Sequence, residues 1–162
     1  MHKYPKLALD AIRHYLETDE IMEAPVDFDE KRAGVFVSLH LKNGDLRGCI
    51  GTFLPQRDSL ADEIIYNAIS AATQDPRFEP VTSVDGLDVS VDVLSEPEKC
   101  EIKDLNPKKY GVIVSGGGKR GLLLPDLDGV DTVKEQIDIA CRKAGIFGEE
   151  FEVERFVVER CV

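Results

Sequence analysis

The sequence predicts an α+β protein with mixed or antiparallel sheets and about three helices, built as two subdomains sharing one core. Three observations carry that reading. A strong hairpin pattern lies around residue 43, and helical and strand periodicities are interspersed without the regular alternation of a parallel βαβ fold. The chain has 162 residues, 43% of them hydrophobic and 31% charged. That fits one domain over 1–162, or two small interleaved subdomains, able to fold without disulfides or structural metal.

From Pro5 to about Glu17, Ala8, Ile12, Tyr15 and Leu16 fall on one helical face, with Lys6, Asp10, Arg13 and Glu17 opposite. The polar stretch Asp19 to Arg32, with Pro25 and several acids, reads as a mobile surface loop.

Gly34 to Lys42 is rich in strand formers, Asn43-Gly44 suits a two-residue type I′ turn, and Leu46 to Thr52 returns. With Lys42 opposite Asp45, Leu41 faces Leu46, His40 faces Arg47, Leu39 faces Gly48, Ser38 faces Cys49, Val37 faces Ile50 and Phe36 faces Gly51. Side-chain alternation then puts Val35, Val37, Leu39, Leu41, Leu46 and Ile50 on a core face. Phe36, Ser38, His40, Arg47 and Cys49 share the other, with Phe36 over the bare backbone of Gly51.

Ser59 caps a helix running to about Thr73, whose buried stripe is Leu60, Ile64, Ile65, Ala68, Ile69 and Ala72. Asp75-Pro76 stops it, because a residue before proline avoids helical angles. Leu87, Val89, Val91 and Val93 alternate with polar residues as a half-buried strand. Tyr110–Val114 and Gly121–Leu124 flank a Ser115–Arg120 turn. Asp131 or Thr132 caps a third helix that ends at Gly145, and Phe151–Val162 reads as a final strand.

Composition excludes several functions. A net charge of −11 opposes phosphate backbones, so no nucleic-acid partner is expected. No apolar run is long enough to span a membrane, and no secretory h-region follows Met1. The four cysteines, Cys49, Cys100, Cys141 and Cys161, form no CxxC or Cys/His ligand spacing. No metal or cofactor is therefore expected, and a cytoplasmic location with reduced thiols fits best. Gly116-Gly117-Gly118-Lys119 lacks the Ser/Thr and following helix of a phosphate loop, and Asp126-x-Asp128-Gly129 lacks the spacing of a calcium hand. His2 and His14 read as solvated or edge residues.

Leu46-Arg47-Gly48-Cys49-Ile50-Gly51-Thr52 is the most unusual segment. A cysteine becomes a nucleophile where a positive charge favours its thiolate, and Arg47 lies two residues away on the same strand face. Ser38 is directly across and His40 diagonally across, a candidate base. Gly48 and Gly51 carry no side chain, which allows close approach of a ligand or of another backbone. The alternative is that Cys49 is a small buried hydrophobe. In Asp75-Pro76-Arg77-Phe78, Arg77 offers a planar fork for an anionic group, oriented by Asp75. The alternative there is a helix stop with a local ion pair.

The heptapeptide at 46–52 resembles the signature of the AMME-syndrome candidate domain, whose microbial members are called AmmeMemoRadiSam system protein A. Asp75-Pro-Arg-Phe78, Val91-Asp-Val-Leu94, Gly121-Leu-Leu-Leu-Pro125 and Lys143-Ala-Gly-Ile146 resemble the same family in the same order, so the likeness spans nearly the whole chain. The resemblance implies a two-part α+β fold without an established activity. It also implies a shared pathway with a Memo-type protein and a radical S-adenosylmethionine protein. Carried over, it marks Arg47, Gly48, Cys49, Gly51, Asp75 and Arg77 without assigning roles. Two functions follow as expectations. In one, Cys49, Arg47 and His40 are catalytic and Gly48, Gly51, Asp75 and Arg77 bind a small molecule or peptide. In the other, the protein is a non-catalytic interaction or adaptor module.

Overall fold

A computed structural model describes residues 1–162. In chain order the elements are α1 (Lys3–Thr18), β1 (Val35–Leu41), β2 (Leu46–Thr52), α2 (Leu60–Thr73), β3 (Leu87–Leu94) and β4 (Glu98–Cys100). After a 3₁₀ turn at Ile102–Asp104 come β5 (Gly111–Gly116), β6 (Lys119–Leu123), α3 (Val133–Ala144), β7 (Glu152–Phe156) and β8 (Val158–Cys161). Three helices and two four-stranded antiparallel sheets make the protein α+β. No helix is long and apolar enough to cross a membrane. The chain forms two compact units, residues 1–93 with 159–162, and residues 94–158.

In the first unit the strand order is β2-β1-β3-β8. Val35, Val37 and Leu39 of β1 and Val91 of β3 turn one sheet face toward Leu7 and Ile12 of α1 and Ile64 and Ile65 of α2, all fully or almost fully buried. Leu41, expected on that core face, is exposed at the end of β1, where the hairpin loop begins. The His2 ring nitrogen caps α1 by accepting from the Tyr4 amide, and Ser59 caps α2 as its position predicts. The segment after α1 is anchored, contrary to the mobile loop expected. Phe28 packs 5.6 Å from the Tyr4 ring, and the Tyr4 hydroxyl donates to Asp29.

The hairpin departs from the predicted register and then rejoins it. Gly44 N donates to Leu41 O and Leu41 N to Asp45 O, which closes a three-residue loop with Gly44 alone at positive φ. A type I′ turn needs positive φ at both central residues, and Asn43 does not take it. His40 therefore pairs with Leu46 and not with Arg47. Arg47 is the extra residue of a bulge, after which Leu39↔Gly48, Ser38↔Cys49 and Phe36↔Gly51 stand as the sequence predicts.

In the second unit the order is β4-β7-β5-β6, with α3 against β5 and β6. Val112, Val114, Leu123, Ile137, Ala140 and Val153 form its own apolar cluster. Each unit has its own apolar cluster, and each sheet has its own helical cover. Gly117 and Gly118, at φ 56° and 76°, form the tight two-residue turn of β5–β6. The final segment, read as one strand, is two. It breaks at Val157, whose amide donates to Ser95 Oγ and whose carbonyl accepts from Ser95 N.

Candidate functional site

The site begins with a strand edge. β2 ends its sheet, so amides on its outer side lack a strand partner. Gly48 brings this edge against the last turn of α2, since a Cβ there would lie 2.2 Å from Ala71 O. That approach delivers the residues just past the helix to the strand. Asp75 Oδ2 accepts from the Cys49 amide at 3.0 Å, so the two sequence motifs meet. Arg77 grips the same carboxylate with Nε (3.0 Å) and Nη2 (2.8 Å), and its own amide adds a third bond. Asp75 is 2% exposed at its side chain, Arg77 57%. The Arg77 fork and the two amides outweigh burial and hold the Asp75 carboxyl well below the usual carboxylate range. The paired carboxylate, with a smaller contribution from nearby Cys49, raises Arg77.

Because the Cys49 amide points outward, Ser38 and Cys49 are a non-hydrogen-bonded pair, whose side chains come closest. Ser38 Oγ donates to Cys49 Sγ at 3.3 Å. Cys49 is partly buried, not sealed in the core. Gly51 accommodates the Phe36 ring, which an added Cβ would meet at 2.3 Å. His40, two residues beyond Ser38, makes no side-chain hydrogen bond, and neither it nor Arg47 enters an ion pair. Both are partly buried. Arg47, the bulge residue two positions before Cys49, thus presents a guanidinium without a protein partner, and the Cys49 thiol already accepts one hydroxyl. Chemically, the hairpin offers a free guanidinium for an anionic group and a partly buried thiol on the same strand.

Two further polar sites lie outside the candidate residues of the sequence, although Glu63 was expected there as an acid of the first turn of α2. Asp92, across from Phe36 on β3, is held by both arms of Arg160 at 2.8 Å. Glu63, fully buried in α2, accepts from Thr52 Oγ1 and the amides of Gln56 and Arg57, and fixes the chain between β2 and α2. An acid within an apolar helical stripe was the available signal for Glu63. Burial pushes up the thiols of Cys100, Cys141 and Cys161. The second unit holds a cleft of about 700 Å³ whose walls include Cys100, Ile102, Glu150, Phe151 and Glu152, none of them a predicted site residue. The signature residues form no metal-ligating cluster; the group that does is His2, Glu159 and Cys161.

The chain is similar to known proteins along nearly its whole length. A protein from Thermotoga maritima is 52% identical over 98% of this chain and 97% of its own length. A Clostridium acetobutylicum protein is also 52% identical over 97% of this chain, which spans only 35% of that longer protein. The crystal structure of an uncharacterized protein, PH0010 from Pyrococcus horikoshii, matches with a TM-score of 0.86 at 34% identity, over 98% of this chain and 88% of that one. The AMMECR1 family model matches residues 5–161, and the chain belongs to the AMMECR1 family.

Proposed function

We propose that this protein works in the cytoplasm as an enzyme that takes an anionic small molecule or peptide group at the β1–β2 hairpin. Cys49 is the nucleophile, Arg47 the anion contact and His40 the base that accepts the thiol proton. Asp75 and Arg77 are positioning residues, since their charges are spent on each other and on the Cys49 amide. The observation that supports the reading is the unpartnered Arg47, carried on a bulge two positions before Cys49. Bulges near active sites re-aim side chains out of the regular pleat.

Site-resolved alkylation tests it. Cys49 is expected to react with iodoacetamide at about pH 6, well ahead of the three cysteines whose thiols burial disfavours, and Arg47→Ala slows it. A Cys49 that stays inert until the protein unfolds overturns the nucleophile.

A second reading, an adaptor module acting with a Memo-type and a radical S-adenosylmethionine protein, draws support from the Clostridium relative. There the matching segment is one part of a much longer chain. Retained partner binding in Cys49→Ser, with no turnover of any candidate by the wild type, favours it.

A further inference from the structure

We propose that His2, Glu159 and Cys161 form a divalent metal site of the zinc class, separate from the hairpin signature. Their ligand atoms all lie within 4.8 Å of one another, and Cys161 Sγ is 4.0 Å from Glu159 Oε1. A tetrahedral zinc with one sulfur, one nitrogen and one oxygen donor needs these atoms about 3.5 Å apart. Side-chain rotation covers that difference. The backbone is already in place: Glu159 and Cys161 alternate on β8 and so share a strand face, and the His2 amide donates to Val162 O at 3.0 Å. Three protein donors leave the fourth position of a tetrahedral zinc for water or a small ligand.

The donor chemistry selects the ion. Thiolate, imidazole and carboxylate together suit zinc or cobalt, whereas magnesium and calcium take oxygen donors. Binding turns the Cys161 thiol into a thiolate and releases one proton to solvent, so affinity falls as pH falls. It also has a local cost. His2 Nδ1 now accepts from the Tyr4 amide, and a ring that ligates through Nδ1 gives up that bond directly. A ring that ligates through Nε2 moves its proton to Nδ1 and gives it up too. Metal therefore replaces the helix cap with a link between the start of α1 and β8.

The probe is cobalt(II) added to chelator-treated, reduced protein and followed by absorption. One equivalent is expected to give a thiolate-to-cobalt charge-transfer band, and zinc to bleach it. Cys161→Ser is expected to abolish the band. His2→Asn, which keeps a good helix cap but removes the imidazole, is expected to weaken cobalt at least ten-fold, while Cys49→Ser and Cys141→Ser leave it unchanged. His2→Asn decides the matter if the buried Cys161 variant fails to fold. A band that survives in both His2→Asn and Cys161→Ser overturns the site, as does a wild type that takes up no cobalt.

Discussion

The amide of Cys49 donates to the carboxylate of Asp75 at 3.0 Å, joining a β-strand edge to a turn 26 residues further along the chain. Gly48 makes the bond possible by lying against Ala71 O, and Arg77 keeps the carboxylate charged. The signature glycine and the helix-stop motif therefore have one structural purpose, which is to fix the backbone under the candidate nucleophile.

Asp75 should link stability to acid pH. Its folded pKa lies below its unfolded value, so as pH falls the unfolded chain takes up the proton first. The stabilisation is complete above about pH 4 and is lost as pH drops below it. Urea unfolding of wild type and Asp75→Asn is expected to show a gap at neutral pH that closes progressively below about pH 4. A gap independent of pH rules out the charged carboxylate as its source.

Gly48→Ala should loosen the same junction. Its Cβ would press into the Ala71 carbonyl, a backbone atom that cannot swing aside. Overpacking of this kind costs about 1–3 kcal/mol. The urea midpoint should fall, and the Cys49 amide should exchange faster with deuterium than in the wild type. Unchanged exchange with lowered stability places the strain elsewhere.

Arg160→Ala should be more harmful than an exposed ion-pair loss. Its partner Asp92 is only 3% exposed at the side chain and would lose both bonds of the fork. Leaving a buried acceptor unsatisfied costs about 1–3 kcal/mol. Arg160→Ala with Asp92→Asn should recover part of that loss in thermal unfolding, and a double variant worse than the sum of the singles contradicts the account.

Gly117 tests the tight turn of the second unit. At φ 56° it sits where Asn is tolerated and a β-branched residue is not. Gly117→Asn is expected to leave the melting temperature nearly unchanged, and Gly117→Val to cost about 1–2 kcal/mol. Equal effects of both substitutions show that the turn relaxes to another type.

Local signals on the chain determined much of this molecule. Ser59 and Thr132 cap their helices, Gly145 ends α3, and Phe36 lies over Gly51, because capping, φ preference and strand alternation act over a few residues. The family signature and the −11 charge were equally legible. Tertiary structure decided what depends on distant partners. The hairpin loop took three residues where two were expected, and the Arg47 bulge absorbed the difference, because burial of Val35, Val37 and Leu39 enforces the register of the rest. The last segment divided between two sheets at Val157, where Ser95 supplies the bonds a continuous strand would have lost. His2 gave no sign of a partner, since Glu159 and Cys161 stand at the other end of the chain and only folding of β8 brings them beside it. Asp75 and Cys49 met for the same reason: a hydrogen bond across 26 residues has no local signature, and packing of α2 on a glycine creates it.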